Sequence, residues 1–258
     1  NALITKAVEE LNPDLVVYLG DNAGADNEMQ MRSVISRILY PVSLRDIPFA
    51  VVFGNHDREC AVSLKDQMRL YREHDNCYMF NADDSITGYG NYNLLIKSTD
   101  SDDDVFNLWF IDSNNLAEDQ EISYYDWVHE DQIQWYKDTA EKLRKENGGK
   151  VIPALWFMHI PVCEEYRLLR PAKLYELPDS VKGHRDWSKN NYVLAQGVEG
   201  YLGEGPCCPC INSGVFDAWK ETGDVMGAFF GHDHMNDFAG YHEGILLAQC
   251  KTAGFQPY

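Results

Sequence analysis

The chain has 258 residues, 45% of them hydrophobic, with 41 acidic against 22 basic residues and a formal net charge of −19. A chain this long buries about 70–75% of its unfolded surface and can carry a full core, while no run of 18 apolar residues is present to span a bilayer. Such acidity repels phosphate backbones, which excludes nucleic-acid wrapping, and any bound anion needs local positive charge of the kind that metal dications supply.

Residues 2–11 place Leu3, Ile4, Ala7, Val8 and Leu11 at helical spacing, and Asn12-Pro13-Asp14 breaks that helix. Leu15–Leu19 reads as a buried strand running into Gly20-Asp21. A helix is expected over 27–40, stopped near Pro41, and then a strand over Phe49–Phe53 running into Gly54-Asn55-His56-Asp57. A helix over 64–73 follows. Tyr89–Ile96 and Val105–Ile111 read as two strands joined by the acidic stretch 98–104, a solvated hairpin loop without the glycine and final glutamate of a calcium loop. A helix over 130–147 comes next, with Trp135 and Tyr136 as core residues, then a strand over Val151–Met158 ending at His159. The stretch 163–210 reads as irregular, and a loop of that length is usually functional or disordered. Its Tyr166, Arg167, Arg170, Tyr175, Arg185 and Trp187 are expected to shape a pocket over the site. A helix over 214–222, a strand over 225–230 and a hairpin around 238–249 complete an alternation typical of βαβ construction. No repeat, low-complexity linker or boundary interrupts the chain, so residues 1–258 are expected to form one domain.

Seven scattered cysteines do not read as a disulfide framework and suit a reducing, cytoplasmic compartment. The cluster Cys207, Cys208 and Cys210 has no matching CxxC partner, so unpaired loop thiols are expected there rather than a zinc ribbon.

Four expected strands end in groups able to bind metal: Asp21, Asn55 with His56, His159, and His232 with His234. Each follows a glycine or a tight turn, and sites in open α/β sheets gather beyond the carboxyl ends of strands. Singly, Gly20-Asp21 reads as a turn, Asn55-His56-Asp57 as a helix cap and His159 as a core histidine. Their recurrence in one chain points to a shared metal site.

At these residues the sequence resembles the calcineurin-like metallophosphoesterase superfamily. Its pattern is D-x-H, then G-D, G-N-H-[DE], a strand-ending His, and G-H-x-H. The last four elements stand here in order as Gly20-Asp21, Gly54-Asn55-His56-Asp57, His159 and Gly231-His232-Asp233-His234. Gly20-Asp21-Asn22, Tyr89-Gly90-Asn91-Tyr92-Asn93-Leu94, His159-Ile160-Pro161, Asn212-Ser213-Gly214 and His234-Met235-Asn236-Asp237 are similar to the fungal Dcr2 and plant purple-acid-phosphatase-like branch.

The resemblance implies a four-layer α/β/β/α sandwich of two mixed sheets flanked by helices. It implies two metal ions, Mn, Fe or Zn, with Asp21 bridging them and Asn55, His159 and His232 on the second. His234 would bind the first, together with a D-x-H pair expected upstream of Asn1, so that this site is weak in the chain as given; a cut near Tyr258 is also expected. His56 would act on the substrate phosphate and Asp57 would orient it. Gly24 stands where purple acid phosphatases carry a metal-bound tyrosine, which disfavours ferric iron. The implied activity is hydrolysis of a small-molecule or protein phosphoester, with monoesters favoured. A phosphodiesterase and a non-catalytic scaffold of the same fold are the alternatives.

Overall fold

A computed structural model describes residues 2–254, so the expectations tied to Asn1 and Tyr258 lie outside the described residues. The chain opens with α1 (Ala2–Leu11), β1 (Val16–Leu19), α2 (Glu28–Ser43), β2 (Phe49–Val52) and α3 (Leu64–Tyr71). Asn27 caps α2 and Ser63 caps α3, each through a side-chain oxygen that accepts from a backbone N–H in the first turn. The antiparallel pair β3 (Tyr92–Lys97) and β4 (Asp104–Phe110) follows, then α4 (Glu130–Glu146) and β5 (Ala154–Met158). Four short strands come next: β6 (Leu169–Pro171), β7 (Val181–Lys182), β8 (Asn191–Leu194) and β9 (Glu199–Tyr201). The chain then forms α5 (Val215–Thr222), β10 (Val225–Phe230), β11 (Asp237–His242) and β12 (Ile245–Gln249).

Two facing sheets form the centre of the molecule, as expected, and β6, β7 and β8 form a third, smaller one. β1 and β2 pair in parallel, and a seven-stranded mixed sheet runs in the order β3-β4-β5-β10-β12-β11-β9. Its centre is parallel, β4 to β5 to β10 to β12, with antiparallel strands at both sides. Alternation along each strand divides the large sheet's residues between two cores. Trp109, Trp156 and Phe230 join Tyr136 of α4 and Trp219 of α5 on the outer face. Phe110 and Phe157 turn inward, against β1, β2 and the helices beyond them. On that inner face Tyr92, Phe110, Phe157 and Phe229 form a ladder across four strands, with ring centroids 4.5, 5.2 and 5.4 Å apart. Each such ring contributes about 1.5–3 kcal/mol by burial. Helices on one side, two sheets, and helices on the other are the four layers.

Tyr92 also joins the sheets by hydrogen bonding. Its hydroxyl accepts from the Val51 N–H at 3.1 Å and donates to the Val51 carbonyl at 2.8 Å, capping the outer edge of β2.

Two expectations are corrected. Pro41 lies inside α2 rather than stopping it. It falls in the last turn, where its missing N–H removes a single i to i−4 bond with little helix left to continue, and the Leu44 N–H closes the end on the Tyr40 carbonyl at 3.0 Å. The stretch 163–210 is not irregular: it carries the three-stranded sheet β6-β8-β7, and β9 extends the large sheet beside β11. Strands of two to four residues are too short to show a period.

Candidate metal centre

The parallel strands β1, β2, β5 and β10 end on one side of the molecule, each carrying a polar residue just beyond its carboxyl end. Asp21 and Asn55 come from the small sheet, and His159 and His232 from the large one. The first loop is shaped by two consecutive left-handed residues, Gly20 at φ 93° and Asp21 at φ 52°. A Cβ on Gly20 would run into the His159 ring, so glycine there permits both the turn and the approach. Gly54 is required by approach alone, because a Cβ there would strike the Asp21 carboxyl. His232 is left-handed as well, at φ 69°. Two of the candidate ligands therefore sit in costly backbone conformations, which cluster at functional sites.

Three groups converge on His159 Nε2. It lies 3.0 Å from Asp21 Oδ2, 3.2 Å from Asn55 Oδ1 and 3.3 Å from His232 Nδ1. His159 Nδ1 is 2.6 Å from the Leu19 carbonyl, which fixes its proton there and leaves Nε2 facing the other three groups. Asp21 Oδ2 and His232 Nε2 are buried without an aligned hydrogen bond. A carboxylate, an amide oxygen and two imidazoles turned on one point need a shared positive charge. Asp21, His159 and His232 have ligand atoms within 4.8 Å of one another. The residues present fit a bound cation.

The electrostatics agree. Burial opposes charge on Asp21, but His159 outweighs it and holds the carboxyl at about 2. Burial likewise opposes charge on His159, and Asp21 overcomes it to raise the imidazole. Burial and the neighbouring His159 push His232 well below the ordinary range, leaving it a neutral donor.

His56 stands apart from this cluster. Its side chain is 55% exposed, and its Nδ1 is 2.7 Å from Glu59 Oε2. His56 and His234 line the same cavity as Asp21, His159 and His232, with a volume of about 680 Å³. The expected pairing of Asp57 with the His56 ring is absent, and Glu59 takes that place. Asp57 is buried and accepts instead from the backbone N–H groups of Gly54, Asp21, Asn22 and Ala23, at 2.8–3.3 Å. Burial pushes its carboxyl up to about 6 against the pull of these backbone donors. It therefore braces two ligand loops at once.

Three further residues escaped sequence reasoning. Tyr125 sets its ring edge-on to His232, with centroids 4.5 Å apart. Asp233 accepts from Cys207 N at 3.0 Å and from Asn236 Nδ2 at 2.8 Å, tying the histidine turn to the loop before α5. The third is Glu59. The position of Asp233 between two histidines was a usable signal, whereas Tyr125 and Glu59 have none in the sequence. All seven cysteines are free thiols in this structure.

A family model described as calcineurin-like phosphoesterase matches residues 1–236. The chain is 28% identical over 274 residues to a probable inactive purple acid phosphatase 14 of Arabidopsis thaliana, covering 100% of this chain and 62% of the relative. It is 29% identical over 240 residues to phosphatase DCR2 of Saccharomyces cerevisiae, covering 88% of this chain and 36% of the relative. The chain spans less than two thirds of the length of these curated relatives. Among solved structures, a dimetal phosphatase from Danio rerio shares the fold at a TM-score of 0.53 and 12% identity, over 97% of this chain and 77% of that one.

Proposed function

Because the chain belongs to the calcineurin-like phosphoesterase family, we propose that it hydrolyses phosphate esters, monoesters before diesters, with two metal ions drawn from Mn, Fe and Zn. The observation that carries this reading is the convergence of Asp21, Asn55 and His232 on His159 Nε2, with His56 on the wall of the same cavity. Asp21, Asn55, His159 and His232 would hold one ion, with Asp21 shared and His234 serving the other. When bound, such ions polarise phosphate oxygens and bring the ionisation of a bound water near neutral pH.

The chain's own residues supply the rest. His56 is exposed to the cavity and held by Glu59, so its free Nε2 is placed to donate a proton to the leaving oxygen or to neutralise phosphate charge. The contact with Glu59 fixes the orientation of the ring. Asp57 keeps the Asp21 and Asn55 loops in register through four backbone bonds. A dicationic centre also answers the repulsion that a chain of net charge −19 would exert on a phosphate dianion.

The non-catalytic alternative has one observation in its favour: relatives such as the Arabidopsis protein are named probable inactive phosphatases. The test is turnover. The chain loaded with Mn, Fe or Zn is assayed against nitrophenyl phosphate and bis-nitrophenyl phosphate, beside the His56→Ala protein. Metal-dependent release from the monoester that is lost in His56→Ala is the expected result. Full metal loading with no turnover of either ester would leave the scaffold reading standing.

A further inference from the structure

Beyond the metal cluster, a line of aromatic rings leads from the site to a cation. Tyr125 stands edge-on to His232, and the Tyr124 ring stands edge-on to Tyr125 with centroids 4.9 Å apart. The Arg185 guanidinium lies over the Tyr124 ring, its Cζ 4.1 Å from the centroid. Among the described residues no carboxylate lies within ion-pair distance of it, in a chain with 41 acidic side chains. By contrast, Arg58 is paired with Asp112 and Arg170 with Glu176.

The turn that presents Arg185 is firmly held. Tyr166 stacks on Trp187 with centroids 4.3 Å apart, and its hydroxyl accepts from the His184 N–H at 2.8 Å. Arg185 adopts a left-handed φ of 45° within that turn. A guanidinium held over a ring by its charge does not spend its N–H groups on that contact, and those N–H groups match a carboxylate or phosphate in two parallel hydrogen bonds.

We infer that Arg185, seated on Tyr124, is a specificity-determining residue that selects phosphoesters whose leaving group carries a second anionic group. The inference rests on the phosphoesterase reading for the position of the first phosphate. The leaving group would lie along the Tyr125 and Tyr124 rings, with its far oxyanion on the guanidinium. In so acidic a molecule an anion on the leaving group would otherwise be repelled.

The test is binding, so that it stands apart from turnover. Metal-loaded protein is titrated calorimetrically with 4-carboxyphenylphosphonate, 1,4-phenylenediphosphonate and the neutral 4-carbamoylphenylphosphonate. The wild type should favour one or both anionic ligands about tenfold over the carbamoyl compound, as a charge-assisted hydrogen bond allows. The arm that shows the preference identifies the carboxylate or the phosphate as the recognised group. Arg185→Gln should bring that ratio close to one, and Arg185→Lys should restore part of it, which a merely structural arginine would not do. Equal ratios in wild type and Arg185→Gln, or no preference in the wild type, would overturn the inference. Selective binding without hydrolysis of the matching phosphates would uphold Arg185 while removing the catalytic reading. Failure to bind any of the three phosphonates would remove both.

Discussion

His56 combines exposure with a fixed partner, the pairing that a proton donor needs. His56→Ala should lower kcat by about 10²–10⁴-fold, the usual contribution of such groups, while metal analysis finds the ion content nearly unchanged. Metal lost in parallel with activity would mark His56 as a ligand. Glu165 offers a test remote from chemistry. It is fully buried, and neither carboxyl oxygen has a hydrogen-bond partner. Burial, and next Asp233, push its carboxyl well above the ordinary 4.5. The folded chain thus keeps a proton there that the unfolded chain releases above 4.5. Its contribution to stability is complete below that pH and is lost as pH rises toward the raised value. Glu165→Gln cannot titrate, so its denaturant midpoint should fall less than that of the wild type between mildly acidic and neutral pH. Parallel curves would show that Glu165 is ionised in the folded chain.

Asp21, Asn55 and His232 are each delivered by a strand, a glycine turn and then the polar side chain, while His159 stands directly after β5, and the turn's geometry is as necessary as the ligand. Gly54→Ala should force the Asp21 carboxyl aside. The expected cost is about 1–3 kcal/mol by denaturant unfolding, the usual scale of overpacking, together with weaker metal retention on dialysis. Unchanged retention would mean that the Asp21 loop yields freely. This unit is also what made the site legible. Gly20-Asp21, Gly54-Asn55, His159 and Gly231-His232 each follow a hydrophobic run, so residue type and strand end coincide in the sequence. Glu59 escaped because it reaches His56 only after a 3-10 turn brings i and i+3 together. The sheet formed by β6, β7 and β8 escaped because its strands are held by pairing across 169–194 rather than by any pattern within themselves.

At the scale of the whole molecule the candidate centre is divided between two sheets. One set of donors, Asp21, Asn55, His159 and His232, is complete enough to hold an ion, whereas His234 stands outside the described cluster. This chain should therefore retain about one equivalent of metal after dialysis, counted by elemental analysis. Two retained equivalents would show that a second set of donors is formed. Saturation at 100 times Kd should stabilise the fold by about 2.7 kcal/mol, reversed by a chelator. The Tyr92 hydroxyl gains a further meaning from this division. Tyr92 ties the large sheet to Val51 of the small one through both a donated and an accepted bond. It acts as a pin against shear. A slip of one residue along the strand would carry Asp21 and Asn55 about 3.3 Å past the histidines, far outside the ±0.2 Å or so that metal–ligand bonds tolerate. Tyr92→Phe keeps the ring in the aromatic ladder and removes only the pin. It should cost about 1–3 kcal/mol by leaving Val51 unpaired, and metal affinity should fall with it. Affinity unchanged at reduced stability would mean that packing alone fixes the alignment of the sheets. The precision of the metal site is thus a mechanical property of the joint between the sheets, set some distance from any ligand.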